Sequence, residues 1–176
     1  MSPTPPANSL LDALSAGRPE AFAALYERLG MSLLRVGRAM AGSHEEAEDA
    51  VQDVFVSLAK SRERLAGVED LEAYVFAVLR NVVAARATRR KKEQAKLREM
   101  ALAVTEAREP RAAGEDGLEA ALASLPAEQR EVVALKIDGG LTFSQIAQVL
   151  GVSPNTAASR YRYALEKLRT ALEERP

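Results

Sequence analysis

The chain holds 176 residues, with 24 Lys and Arg against 25 Asp and Glu, 47% hydrophobic side chains, only 5% aromatic, no Trp and no Cys. The lack of cysteine excludes disulfides and thiolate metal sites, and a single histidine, His44, leaves no pair for zinc or a hydrolytic relay. Scarce aromatics beside abundant Ala and Leu favour helices over sheets, and no apolar run nears the roughly 18 residues of a membrane span or forms a signal-peptide core, so the chain reads as soluble and cytoplasmic.

The first eight residues, "MSPTPPAN", are rich in Pro and Ser and read as a disordered tail over 1–8. From Leu10 to about Ala41, Phe22, Leu25, Tyr26, Leu29, Leu33, Leu34 and Val36 recur mostly at helical spacing. Gly42 and Ser43 then read as a stop followed by an N-cap, and Glu46, three residues after the serine, completes a capping-box pattern. The following helix sets Ala47, Val51, Val54, Phe55 and Leu58 on one stripe, and Gly67 is its expected break. A long helical pattern runs from near Asp70 to about Met100, which closes a first domain over 9–100.

Residues 101–117 contain "REPRAAGEDG", mixed in charge and without apolar period, and are expected to form a flexible interdomain linker. A second domain, 118–176, is again helical. Pro126 starts one helix, Gly139 and Gly140 end it, Thr142 caps the next, and Gly151 makes a short turn before the Ser153-Pro154 helix start. The fold expected is therefore all-α, with two small helical domains.

Helix, short glycine turn, helix is the helix-turn-helix pattern. Ile146, Ala147 and Leu150 supply the packed face of its first helix, and Val152 plugs the space between the two. In the second helix Asn155, Thr156, Ser159 and Arg160 lie near the N-terminal end, which in such motifs enters the major groove, and Arg162 follows within reach of phosphates or base edges. Short polar side chains there let the backbone approach DNA. Of Tyr161 and Tyr163, two apart and so on different helix faces, one belongs to the core and the other to the surface, and the sequence leaves open which.

The net charge of −1 conceals a segregation. "HEEAEDAVQDVFVSLAK", from His44 to Lys60, is acidic, whereas "RATRRKKEQAKLR", from Arg86 to Arg98, has seven basic residues against Glu93. Two partner surfaces of opposite sign, or two solvated helix faces, would both produce this pattern.

The C-terminal residues Leu125-Pro126, Arg130, Gly140-Leu141-Thr142, Ile146-Ala147, Leu150-Gly151-Val152, Thr156, Ser159-Arg160 and Leu168-Arg169 resemble region four of bacterial sigma factors, in particular the extracytoplasmic-function (ECF) group. "EEAEDAVQDVFVSLAK" is similar to the acidic helix of sigma region two, and "LEAYVFAVLRNVVAARATRRKK", with Arg80-Asn81, to its promoter-melting helix. The resemblance implies that Glu48, Asp49, Gln52, Asp53 and Phe55 dock on core RNA polymerase. It implies that Arg80, Asn81, Arg86, Arg89 and Arg90 hold the −10 element, and that Arg130, Thr142, Asn155, Thr156, Ser159, Arg160 and Arg162 hold the −35 element. Core polymerase, promoter DNA and an anti-sigma factor are the implied partners, with no catalytic residue, metal or cofactor and no membrane insertion.

The sequence departs from the family at several positions. Tyr74 stands for the usual Trp of the melting helix, Ala85 and Thr88 for an Asp and an Arg, and Ala158 for a Lys of the reading helix. Arg86, Arg89, Arg90 and Arg162 are placed to compensate. An alternative reading is a sigma-like decoy that binds an anti-sigma factor without contacting DNA. A regulator using the helix-turn-helix alone would leave the acidic and melting helices unexplained, and no nucleophile, metal cluster or phosphate loop marks an enzyme.

Overall fold

A computed structural model describes residues 7–100 and 117–173, which form eight α-helices and no strand. The expected linker lies outside the described residues, apart from Gly117, which opens a helix. Of the expected N-terminal tail, Ala7 and Asn8 belong to the first helix.

The helical stretch read as continuous from Leu10 is two helices, α1 (Ala7–Ser15) and α2 (Pro19–Ala41). Gly17, at φ +73°, and Pro19 at the first turn of α2 separate them. The Gly42-Ser43 boundary is as expected. Ser43 Oγ accepts from the Glu46 amide at 3.1 Å and opens α3 (His44–Lys60). That helix ends at Ser61 rather than Gly67, because a 3-10 turn over Arg62–Gly67 buries Leu65 before the chain turns back. Asp70 then caps α4 (Leu71–Met100), its Oδ1 accepting from the Ala73 amide at 2.9 Å.

After the undescribed segment come α5 (Gly117–Ser124), α6 (Ala127–Ile137), α7 (Phe143–Leu150) and α8 (Pro154–Glu173). Thr142 and Gln145 form a full capping box at the start of α7. Gly151 ends that helix at φ +66° with no atom close to where a Cβ would stand, so the turn selects glycine through its backbone conformation alone. Ser153 Oγ accepts from the Thr156 amide at 3.0 Å and caps α8.

Packing follows the stripes. Leu25, Leu29, Leu33 and Val36 of α2 meet Ala50, Val51, Val54 and Leu58 of α3, and Val75, Phe76 and Leu79 of α4 close the N-terminal bundle. The bundle is tight where α2 crosses α3, since a Cβ on Gly37 would touch the Ala47 methyl at 3.4 Å. The second half of α4 leaves this core, and residues 91–100 are exposed throughout. At 1.5 Å per residue, that segment projects about 15 Å as a bare basic helix.

The two domains do not keep separate cores. Val132, Ala134, Leu135, Leu141, Ile146, Val149, Leu150 and Ala157 join the apolar cluster of the N-terminal bundle, with α6 against α2 and α7 against α4. Among the described residues, a smaller cluster of Ala121, Leu125, Val133, Ala164 and Leu168 belongs to the C-terminal unit alone. Three polar contacts among the described residues span the same boundary. Gln145 Nε2 donates to Asp70 Oδ2 at 2.9 Å, Arg80 Nε to Glu131 at 3.0 Å, and Arg38 to Glu119 at 3.2 Å.

Candidate nucleic-acid and protein interfaces

The acidic helix α3 presents its functional candidates on two faces, because each residue advances about 100° around the axis. Glu48, Gln52 and Phe55 share one face. Glu48 approaches His44 at 3.3 Å, Gln52 is exposed, and Phe55 lies edge-on to Tyr26 of α2 with ring centroids 5.3 Å apart. Tyr26, 56% exposed, extends this face onto α2, whereas the sequence shows it only as a member of an apolar stripe. Asp49 and Asp53 lie a quarter turn away and face α4, where both carboxylates bind the Arg86 guanidinium.

The acidic and basic runs therefore neutralise one another in part. One turn beyond Arg86, Arg90 binds Glu46. Between these pairs and Arg89 lies a cavity of about 260 Å³, lined also by Met40, Ala41, Val83, Ala87 and Glu93. Charge segregation in the sequence thus corresponds to a ladder between antiparallel helices as well as to two outward surfaces.

The five basic and polar candidates on α4 are not brought to one place. Arg80 points to Glu131 of α6, and Arg86 and Arg90 point to α3. Asn81 and Arg89 are exposed, and Lys92 and Lys96 continue them within an arc of about 80° on the helical wheel. This stripe is the open face of α4. Its lysines were not singled out in the sequence, although their spacing of three and seven from Arg89 was legible there.

In the helix-turn-helix, α7 packs on α8 through Ile146, Ala147, Leu150 and Ala157, and Phe143 meets Tyr161 with centroids 5.6 Å apart. Tyr161 is thus the core tyrosine, and Tyr163, 54% exposed, is the surface one. Asn155 and Thr156 are exposed at the start of α8, and the Thr156 hydroxyl contacts that of Ser153 at 2.8 Å. Ser159 is half-buried on the next turn. Arg160 forms an ion pair with Glu128 at 2.7 Å, while Arg162 is exposed and leans over the Tyr163 ring. Thr142 is occupied by the capping box. Arg130, expected to touch the DNA backbone, has Nη1 on the carbonyls of Ala123 and Leu125, where it secures the end of α5.

Two residues that the sequence reading used only as helix punctuation, or not at all, hold the domain boundary. Asp70 uses one carboxylate oxygen to cap α4 and the other to accept from Gln145. Gln145 uses its amide oxygen in the α7 capping box and its nitrogen toward Asp70. An Asp at a helix start was a readable signal for the cap, but nothing in the sequence pairs it with a residue 75 positions away.

No helix among the described residues is long and apolar enough to cross a membrane. Residues 25–93 match the family described as Sigma-70 region 2, and residues 115–168 the family described as Sigma-70, region 4. The ECF RNA polymerase sigma factor SigL of Mycobacterium tuberculosis is 28% identical over 161 residues, covering 86% of this chain and 88% of SigL. The ECF RNA polymerase sigma factor ShbA of Streptomyces griseus is 40% identical over 53 residues, 30% of this chain and 28% of ShbA. Among solved structures, CnrH in complex with the cytosolic domain of CnrY shares the fold, with a TM-score of 0.68, 23% identity, and coverage of 96% of this chain and 98% of that one. The sigma factor RpoE in complex with the anti-sigma factor NepR from Bartonella quintana superposes with a TM-score of 0.63 at 25% identity, covering 86% of this chain and 98% of that one.

Proposed function

Because this chain belongs to the sigma-70 family, in its extracytoplasmic-function group, we propose that it binds core RNA polymerase and directs promoter recognition and transcription initiation. The carrying observation is the pairing, in one chain, of an acidic exposed face on α3 with a helix-turn-helix whose reading helix opens on exposed Asn155 and Thr156. Either feature alone would suit many proteins.

In this reading Glu48, Gln52 and Phe55, with Asp49 and Asp53 on the adjoining face, dock on the polymerase. Asn81 and Arg89 face the opened −10 strand, where the basic stripe supplies affinity by counterion release and few side chains specify bases. Asn155, Thr156, Ser159, Arg160 and Arg162 enter the major groove at the −35 element, and Thr142 and Arg130 steady the helices that present them. By their numbering the two elements stand about 25 base pairs apart, which is about 85 Å of duplex at 3.4 Å per pair. Region 4 must therefore leave its seat on region 2 before both elements can be read. The chain works in the cytoplasm, without catalytic residue, metal or cofactor, and an anti-sigma factor is a proposed further partner, since RpoE from Bartonella quintana is seen in complex with the anti-sigma factor NepR.

One observation favours the decoy alternative: Arg80, Arg86 and Arg90 are all ion-paired within the chain. Run-off transcription with purified protein, bacterial core polymerase and the DNA upstream of its own gene separates the two. Core-dependent transcripts that disappear with Glu48→Lys/Asp49→Lys support the sigma reading. A protein that binds neither core nor DNA but captures an anti-sigma factor is the decoy.

A further inference from the structure

Arg86 stands where the two faces of region 2 meet. Its two terminal nitrogens each bind a different carboxylate, Nη2 that of Asp49 and Nη1 that of Asp53. The Arg86 side chain is 28% exposed and the two aspartates 52% and 48%, so the group is a surface fork that solvent and partners can reach. Two carboxylates four residues apart on a helix repel one another, and a guanidinium seated between them removes that repulsion. The same guanidinium cannot at that moment bind a phosphate.

The functional reading above, on which this inference rests, assigns Asp49 and Asp53 to the polymerase and the basic face of α4 to promoter DNA. Arg86 is ion-paired to the first and lies on α4 beside the second, about 60° around the helix from Arg89. We infer that Arg86 couples polymerase docking to promoter binding: Asp49 and Asp53 hold it in the free chain, and their transfer to a basic surface of the polymerase releases it to a DNA phosphate. Linkage makes the effect reciprocal, so a phosphate that takes Arg86 also frees the two carboxylates for the polymerase. Arg90 repeats the arrangement with Glu46 one turn further along α4.

The size of the effect is bounded by two half-exposed ion pairs, which set it at about fivefold in affinity. The test uses the full chain in two titrations. In the first, the affinity for core RNA polymerase is measured for wild type, Arg86→Ala, Arg86→Lys and, as an exposed control on the same helix, Arg98→Ala. Arg86→Ala is expected to tighten core binding about fivefold, Arg86→Lys less, because an ammonium cannot fork between two carboxylates, and Arg98→Ala not at all. In the second, binding of the chain alone to a 20-base-pair non-specific duplex is followed against salt. Asp49→Asn/Asp53→Asn is expected to steepen the salt slope by about one when Arg86 is present and to leave it unchanged when combined with Arg86→Ala. Core binding that is unchanged or weakened by Arg86→Ala would make the arginine a mere buttress and overturn the coupling alone. So would an equal salt slope in both backgrounds. A wild-type chain that fails to bind core at all would overturn the functional reading itself, and the coupling with it.

Discussion

The contact between Asp70 and Gln145 offers the sharpest test of whether region 4 rests on region 2 in solution. Asp70→Ala removes the α4 N-cap, worth about 1 kcal/mol, and the acceptor for Gln145, worth about 1 kcal/mol for a part-buried hydrogen bond. The sum, about 2 kcal/mol, corresponds to a fall in melting temperature of about 4–8 °C for a chain of this size. Asp70→Asn separates the two terms. Asparagine still caps through one oxygen, but its amide nitrogen would face the Gln145 nitrogen. Gln145 cannot turn its oxygen toward it without breaking the capping box at Thr142, where that oxygen accepts at 2.8 Å. Asp70→Asn should therefore cost about 1 kcal/mol while leaving the helix start intact. Urea denaturation of Asp70→Ala, Gln145→Ala and the double variant closes a cycle whose coupling energy should be about 1 kcal/mol. Additivity within about 0.3 kcal/mol would refute the interdomain hydrogen bond and leave the apolar cluster alone to hold the two domains together.

Phe76, fully buried in the cluster shared by the two domains, should lose about 3–5 kcal/mol on substitution by Ala, and one cooperative transition should report both domains; two separate transitions in calorimetry would show independent cores instead. Gly151→Ala should cost about 1 kcal/mol in thermal melts from backbone strain alone, since the space for the added methyl is open. Arg162→Ala, at an exposed arginine with no acidic partner among the described residues, should reduce the salt slope of duplex DNA binding by about one, and Lys92→Ala/Lys96→Ala by about two. Glu131→Lys should release Arg80 and open the domain boundary, which an increased radius of gyration in X-ray scattering would register; an unchanged radius would assign the closed state to the apolar contacts by themselves.

Helix type and most helix starts were legible because they depend on neighbours in sequence. Ser43, Thr142 and Ser153 cap the helices they precede, and the stripe of Ala47, Val51, Val54, Phe55 and Leu58 packs as its period requires. Where the reading went astray, the cause was also local. Leu10, Leu14, Ala21 and Leu25 keep one helical phase across Gly17 to Glu20, which hides the break that Gly17 and Pro19 make before α2, and the 3-10 turn after Lys60 continues a helical pattern in a tighter coil. The helix-turn-helix was readable for the same reason, since its spacing is confined to some thirty residues.

What the sequence could not contain is which groups meet across long separations. It determined the helices, the acidic and basic runs, the helix-turn-helix and the family. Only the tertiary structure decided that Arg86 and Arg90 face the acidic helix, that Arg80 faces Glu131, that Tyr161 is the core tyrosine, and that the two expected domains share an apolar cluster. The reason is physical. Periodicity and capping are set by dihedral angles and hydrogen bonds within a few residues. A charge or apolar side chain, by contrast, is satisfied by any complementary surface that packing brings within reach, and one chain of 176 residues offers many.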